Sequence, residues 1–249
     1  MKADLLAAEK AARAGAIDAA FRALGWREGF EALLRNNPSQ DLMYSERPGA
    51  GGAWKGWNAV RARRSPEAAA LLAAARLRMG HYDEASRLAG AALALPVARL
   101  IRAAATVFSS RARRSNADLE AALADLDAVL AAAPDDARAL RLRGELRNDR
   151  GDEDGAVMDL SRALSLDPAD EWSRAELADL HCDAGRLDRA LALLEGFPAK
   201  RKTEGWWWAL KGRALATSKD VARGLPALDK AVRLAPRSAP VVAWRGEAR

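Results

Sequence analysis

Residues 134–168 read PDDARALRLRGELRNDRGDEDGAVMDLSRALSLDP. Two segments in which apolar residues recur three or four apart, roughly 137–150 and 153–166, meet at Gly151 and are closed by Pro134 and Pro168. The first carries Ala137, Leu140, Gly144 and Leu146; the second carries Ala156, Val157, Leu160, Ala163 and Leu164. That spacing predicts two amphipathic helices, each with a wide buried stripe. Proline cannot continue a helix, and glycine ends one at little cost. The stretch therefore reads as one antiparallel helix pair.

The pair recurs with a period of 34. Gly144 leads to Ala178, Gly212 and Gly246; Ala156 leads to Ala190 and Gly224. Leu160 leads to Leu194 and Leu228, and Ala163 to Phe197 and Ala231. Pro134 and Pro168 recur at Pro236, with Lys202 where the third proline belongs. A fixed period with small residues where two helices cross is the mark of a helical-hairpin solenoid.

On these residues the chain resembles the tetratricopeptide repeat (TPR) family. That family's pattern runs Trp-x2-Leu-Gly-x2-Tyr, then Gly-x-Tyr-x2-Ala, then an aromatic or Leu, an Ala and a Pro. Trp208–Gly212, Gly151–Ala156, Gly185–Ala190, Ala163, Ala231, Pro168 and Pro236 match it, and Gly80-His81-Tyr82-Asp83-Glu84-Ala85 matches its middle part directly. The resemblance implies an all-α, right-handed α-solenoid of antiparallel helix pairs, about six of them. It also implies that the first helix of each pair lines a concave groove where partners dock.

Composition agrees. Half of the 249 residues are apolar, enough for a sizeable core, and strand-forming runs are scarce. No stretch approaches the about 18 uncharged apolar residues that a membrane span needs. Asp4 and Glu9 in the first residues argue against a signal peptide. Cys182 is the only cysteine, so no intrachain disulfide forms, which fits a reducing cytoplasm. The net charge of +6 is uneven: residues 135–200 carry 10 Lys/Arg against 16 Asp/Glu, and residues 201–249 carry 11 against 4. A nucleic-acid binder usually keeps one sign along its binding face.

The chain reads in three parts. Residues 1–35 form a degenerate helical repeat, in which Gly15, Ala20 and Leu24 keep the spacing of Gly151, Ala156 and Leu160. Residues 36–64 are an irregular connection with Gly49, Gly51, Gly52, Trp54 and Trp57, leading into a helix; its glycines lack the Lys-Ser/Thr of a phosphate-binding loop. Residues 65–249 are the array, with pairs at about 66–97, 98–134, 137–168, 171–202 and 205–236 and a partial repeat at 239–249. Gly80 and its equivalent Ala117 are 37 residues apart, which predicts three extra residues around Pro96. The sequence stops inside what reads as a first helix, so a longer protein is expected.

Candidates for chemistry are few. His181-Cys182 could suggest a thiol and its base, but neighbours on a helix point about 100° apart. Arg150–Gly155 resembles the start of a calcium loop, with Arg150 in place of the first carboxylate and Ser161 in place of the bidentate one. An inter-helix turn followed by helix-starting acids accounts for it. RARRS occurs at 61–65 and again at 111–115, the second inside an acid-free stretch from 85 to 117 that holds six arginines; it reads either as a phosphate-binding stripe or as cationic helix ends followed by serine caps. No cofactor or metal site is expected, and the chain is read as non-catalytic.

Trp206-Trp207-Trp208 is the most unusual triplet. Trp208 takes the family's consensus Trp and should pack between the helices of its own pair. Trp206 corresponds by register to Trp172 and Arg138. On the groove face the register places Arg138, Arg141, Glu145 and Asp149, then Trp172, Glu176, Asp179 and Asp183, then Trp206 and Arg213. Trp172 and Trp206 either face the groove or pack between repeats. The family's basic and Asn clamp on a peptide carboxylate is not reproduced, since Arg141, Glu145, Glu176, Trp206 and Leu210 stand there. The acidic middle favours a protein or peptide partner with basic residues and an apolar anchor. Two alternatives remain: a recognition arm of a larger enzyme, such as a group-transferase, whose catalytic domain lies beyond Arg249, and nucleic-acid binding through the basic patches.

Overall fold

The computed structural model describes residues 7, 10, 19, 66–78, 80–109, 115–217, 221–236 and 239–247. The readings of the N-terminal repeat, of the 36–64 connection, of Ser65 and of Arg111–Arg114 lie outside the described residues. Among the described residues there are helices and turns and no strand. The helices are α1 (Pro66–Arg78), α2 (Tyr82–Gly90), α3 (Pro96–Phe108), α4 (Asn116–Ala132), α5 (Ala137–Asp149), α6 (Glu153–Leu166), α7 (Glu171–Asp183), α8 (Leu187–Glu195), α9 (Gly205–Thr217), α10 (Val221–Leu234) and α11 (Ala239–Glu247).

The chain divides into two compact units after Asp152, α1–α5 and α6–α11. In the first, each helix packs on the next, and α3 also packs on α1 and α5. In the second, each helix again packs on the next, and α9 also packs on α7 and α11. Contact between neighbours, plus contact between the first helices of successive pairs, is what stacked helical hairpins make.

Local chemistry sets the helix ends. Asp136 accepts from the backbone N–H of Arg138 (3.0 Å) and Ala139 (3.2 Å). One period later Asp170 accepts from Trp172 (3.1 Å) and Ser173 (3.3 Å). Each satisfies donors that a helix start leaves open. Ser115 and Asp118 form a reciprocal cap on α4, with bonds of 3.0 and 3.2 Å. This supports the serine-cap reading of the second RARRS motif. At their C-termini α1, α5 and α7 close on Gly80, Gly151 and Gly185, with φ of 75°, 81° and 68°. The residue after each of those glycines bonds back to Arg76, Arg147 and His181 respectively, the glycine-closed end that a non-glycine residue disfavours.

The register residues form the core. Ala156, Ala190, Leu160, Leu194, Leu228, Ala163 and Ala231 are all 0% exposed. At Gly212 an added Cβ would stand 2.7 Å from Leu228, and at Gly224 it would stand 2.7 Å from the Ala216 backbone. These small residues mark a close helix crossing.

One spacing differs from expectation. α3 starts 30 residues after α1 and α5 starts 41 after α3, against 34 for each of the next steps. The α2 repeat is therefore short, and the added length lies between Phe108 and the core of α4 rather than around Pro96. Pro96 instead opens α3, where its missing N–H costs nothing. The missing proline at Lys202 has a similar explanation. α8 already ends at Glu195, followed by Gly196 and Pro198, and Lys202 folds back to bond the Glu195 carbonyl (2.8 Å) and carboxylate (3.1 Å).

Candidate partner-binding face

In the second unit the candidates arise from α7 and α9. Asp170 fixes the start of α7, and Trp172, Glu176, Asp179 and Asp183 then follow at three- and four-residue steps along one stripe. Trp172, Glu176 and Asp179 are half-buried and Asp183 is exposed. On α9, Trp206 and Arg213 lie along the corresponding stripe. Arg213 bridges the helices: its two terminal nitrogens donate to Asp179 and Asp183, and its guanidinium lies 4.9 Å from the Trp244 ring of α11. Side chains of three successive first helices thus touch across one face, and three of the predicted residues are brought together.

Trp206 is half-buried. Its ring stands edge-on to Phe197, centroids 5.1 Å apart, and its indole N–H donates to Glu204 (2.5 Å). Glu204 also accepts from Arg201 (2.8 Å), which donates to Glu171 (2.5 Å). Burial works against ionised Glu204, but the Arg201 and Trp206 donors prevail and hold its carboxyl below the usual range. Trp206 therefore belongs to inter-repeat packing through one ring edge while keeping part of its surface open.

The other four candidates belong to α5 of the first unit. Arg138 is half-buried and returns to its own helix cap, donating to Asp136 at 2.8 and 3.1 Å. Burial raises the Asp136 carboxyl, and the Arg138 and backbone donors pull it below its ordinary value. Arg141 is only 3% exposed, so it presents almost no surface to a partner. Glu145 and Asp149 are half-buried.

The tryptophan triplet departs from the sequence reading in one respect: Trp208 does pack against Ala231 of α10, the partner helix of its pair, but is not the most enclosed of the three. Trp207, not Trp208, is the enclosed one: it is 2% exposed, packs with Ala178, Leu194, Phe197 and Leu210, and donates to the Leu194 carbonyl at 3.0 Å. Trp208 is half-buried. It stands edge-on to Trp207 at 5.0 Å and carries the Lys230 ammonium 3.9 Å from its ring centre. Sequence reasoning missed Lys211 and Lys230 beside it. One signal was available: Lys211 occupies the Leu of the Trp-x2-Leu-Gly pattern and lies one turn from Trp208.

The other motifs resolve structurally. His181 and Cys182 are 7% and 3% exposed. Burial lowers the His181 imidazole, helped by Arg186 and Arg189, and burial pushes the Cys182 thiol up to about 11. A thiol held protonated is a poor nucleophile. Glu153 and Asp154 begin α6, where the helix dipole favours acids. In the arginine run, Arg99 (2.9 Å) and Arg102 (2.5 Å) both hold Asp125, which is 1% exposed. No group of three or more His, Cys, Asp or Glu among the described residues is arranged to hold a metal, and none of their helices is long and apolar enough to cross a membrane.

Residues 147–214 match the tetratricopeptide repeat family. Among solved structures, the chain is similar to YrrB, described as a TPR protein with an unusual peptide-binding site. The two are 16% identical, with 76% of this chain and 96% of that one covered and a TM-score of 0.57. It is also similar to a tetratricopeptide repeat protein from Parabacteroides merdae, at 16% identity, 97% and 95% coverage and a TM-score of 0.54. MamA matches at 14% identity, covering 70% of this chain and 93% of its own, with a TM-score of 0.54. Comparison with curated proteins finds no match. Turn glycines, small crossing residues, stacked hairpins and these similarities agree on an all-α helical-hairpin repeat fold of the tetratricopeptide type, with residues 147–214 matching the family itself.

Proposed function

We propose that the chain is a non-catalytic interaction scaffold that takes a peptide or partner protein on the face formed by the first helices α7, α9 and α11 of its second unit. The observation that carries this reading is the side-chain contact across α7, α9 and α11 made by Asp179, Asp183, Arg213 and Trp244. It joins charged groups and aromatic surface over several repeats, the mixture that protein hot spots use. YrrB, similar in fold, is described as having a peptide-binding site, which supports the same class of ligand. The ion-paired set in the second unit, made of two separate groups, holds Glu171 and Glu204 on Arg201 and Asp179 and Asp183 on Arg213. Its acidic surplus selects a partner segment with basic residues, but internal pairing makes the surplus smaller than residue counting suggests.

The test compares capture of proteins from lysate by the intact chain and by a Trp172→Ala/Asp183→Lys variant, with nuclease added and both baits shown to be equally helical. A protein held by the first and lost by the second is the expected result. Equal retention by both baits removes this face as the docking site.

A further inference from the structure

The opposite side of α9 carries a second feature. Trp208, Lys211 and Leu215 lie on the far side of the helix from Trp206, Leu210 and Arg213, because positions advance about 100° per residue. There residues of α8, α9 and α10 line an open cavity of about 560 Å³. This falls in the range of about 300–1,000 Å³ typical of ligand sites. Its apolar surface comes from Leu191, Leu215, Pro226, Ala227 and the Trp208 ring. Its charged groups are Lys211, Arg223 and Lys230 against the single acid Glu195.

That acid is already engaged. Glu195 accepts from Lys202 and from Lys211, each at 3.1 Å, and these bonds hold its carboxyl below the usual range. Lys211 also stands 4.8 Å from the Trp207 ring centre. Lys230 is different. Its ammonium rests on the Trp208 face at 3.9 Å and has no carboxylate partner among the described residues. An ammonium held by a ring on one side keeps donors for an anion on the other. The cavity therefore presents an apolar hollow beside an exposed ammonium that no acid among the described residues pairs.

From this charge complementarity we infer that the α8–α9–α10 cavity is a second docking site, taking an acidic protein segment in which a carboxylate stands next to an apolar side chain. The apolar side chain enters between Leu191, Leu215 and Ala227, and the carboxylate meets Lys230. The cavity is open to solvent, which suits a chain passing over it. Its sign preference is opposite to that of the α7–α9–α11 face, so one helix serves two partners of different charge. This reading does not depend on the first.

The experiment selects peptides from a random display library on the full chain and measures the enriched ones by fluorescence anisotropy. Enrichment of acidic peptides with an apolar anchor is expected, with affinity falling as salt rises. Lys230→Glu should weaken them at least about tenfold, and Lys230→Met, which keeps the aliphatic stem over Trp208, should weaken them less. Arg87→Glu, on α2 in the first unit, makes the same charge change elsewhere and should leave them unaltered. Enriched peptides that ignore Lys230→Glu, or that weaken equally with Arg87→Glu, overturn the proposal. So does a concentration-dependent dimer of the chain that Lys230→Glu dissociates, since the occupant is then a second copy.

Discussion

The repeats 171–202 and 205–236 are one period apart, yet they solve the same packing problem with different residues. At the crossing the first uses Ala178 and Ala190, both fully buried, where the second uses Gly212 and Gly224 with no room for a Cβ. In the first turn the earlier repeat has Ser173, 0% exposed, donating to Asp170 at 2.6 Å, and the later has Trp207. At the cap, Asp170 holds backbone N–H groups, whereas Glu204 gives its oxygens to Arg201 and Trp206. Near the end of the first helix, His181 and Cys182 stand where the later repeat has Leu215 and Ala216. The second helix has nine residues in one and fourteen in the other. Period and topology are thus fixed while volume is redistributed: removing Cβ atoms at the α9–α10 crossing goes with a large indole in the first turn.

The strongest way to break this comparison is Trp207→Ala, which empties the space that Ser173 never had to fill. A fully packed tryptophan lost from a core costs about 3–5 kcal/mol, and the Leu194 carbonyl loses its indole donor while keeping the Phe197 N–H. Urea denaturation should show this loss with an unchanged slope; a change under about 1 kcal/mol would mean that the site collapses around the alanine.

Next is Gly224→Ala, which installs the Cβ that Ala190 carries. With the Ala216 backbone 2.7 Å from the new atom, the helices must separate, at about 1–3 kcal/mol for overpacking. The reverse change, Ala190→Gly, should cost only about 0.5–1 kcal/mol through backbone entropy. If Gly224→Ala is neutral or stabilising, the missing Cβ does not set the α9–α10 distance.

The smallest effect is confined to pH. His181 is lowered in the fold by burial, so the unfolded chain takes up its proton first, near its ordinary value of about 6.5. Stability contributed by neutral His181 is present above that pH. It is lost as pH falls through the unfolded value, and the loss levels off below the folded one. His181→Leu, copying Leu215, should flatten the curve of stability against pH between about 7 and 5; identical curves for both proteins would assign that slope to other groups.

Much of this was legible because it is local or periodic. Gly80, Gly151 and Gly185 close helices because the left-handed turn needs them, and Ser115 begins a helix because bare N–H groups need acceptors. Of the candidate face, the register aligned Asp179 and Asp183 with Arg213, and the structure has Arg213 donating to both. It could not show that Arg213 already neutralises those aspartates, or that Arg141 is buried, because both outcomes depend on neighbours far along the chain.

The sequence by itself determined the all-α hairpin repeat, its period of 34 and its small-residue crossings. A hairpin can bury its apolar stripe only at matching steps, so the pattern must be written into every repeat. Tertiary structure alone decided which tryptophan of the triplet lies inside. Adjacent helical residues differ only in direction, and Leu194 and Phe197 supply the space and the carbonyl that receive Trp207. It also decided that Trp208, with Lys230 above it, borders an open cavity. Burial and pairing of that kind arise where separate helices meet, and no spacing within one helix encodes them.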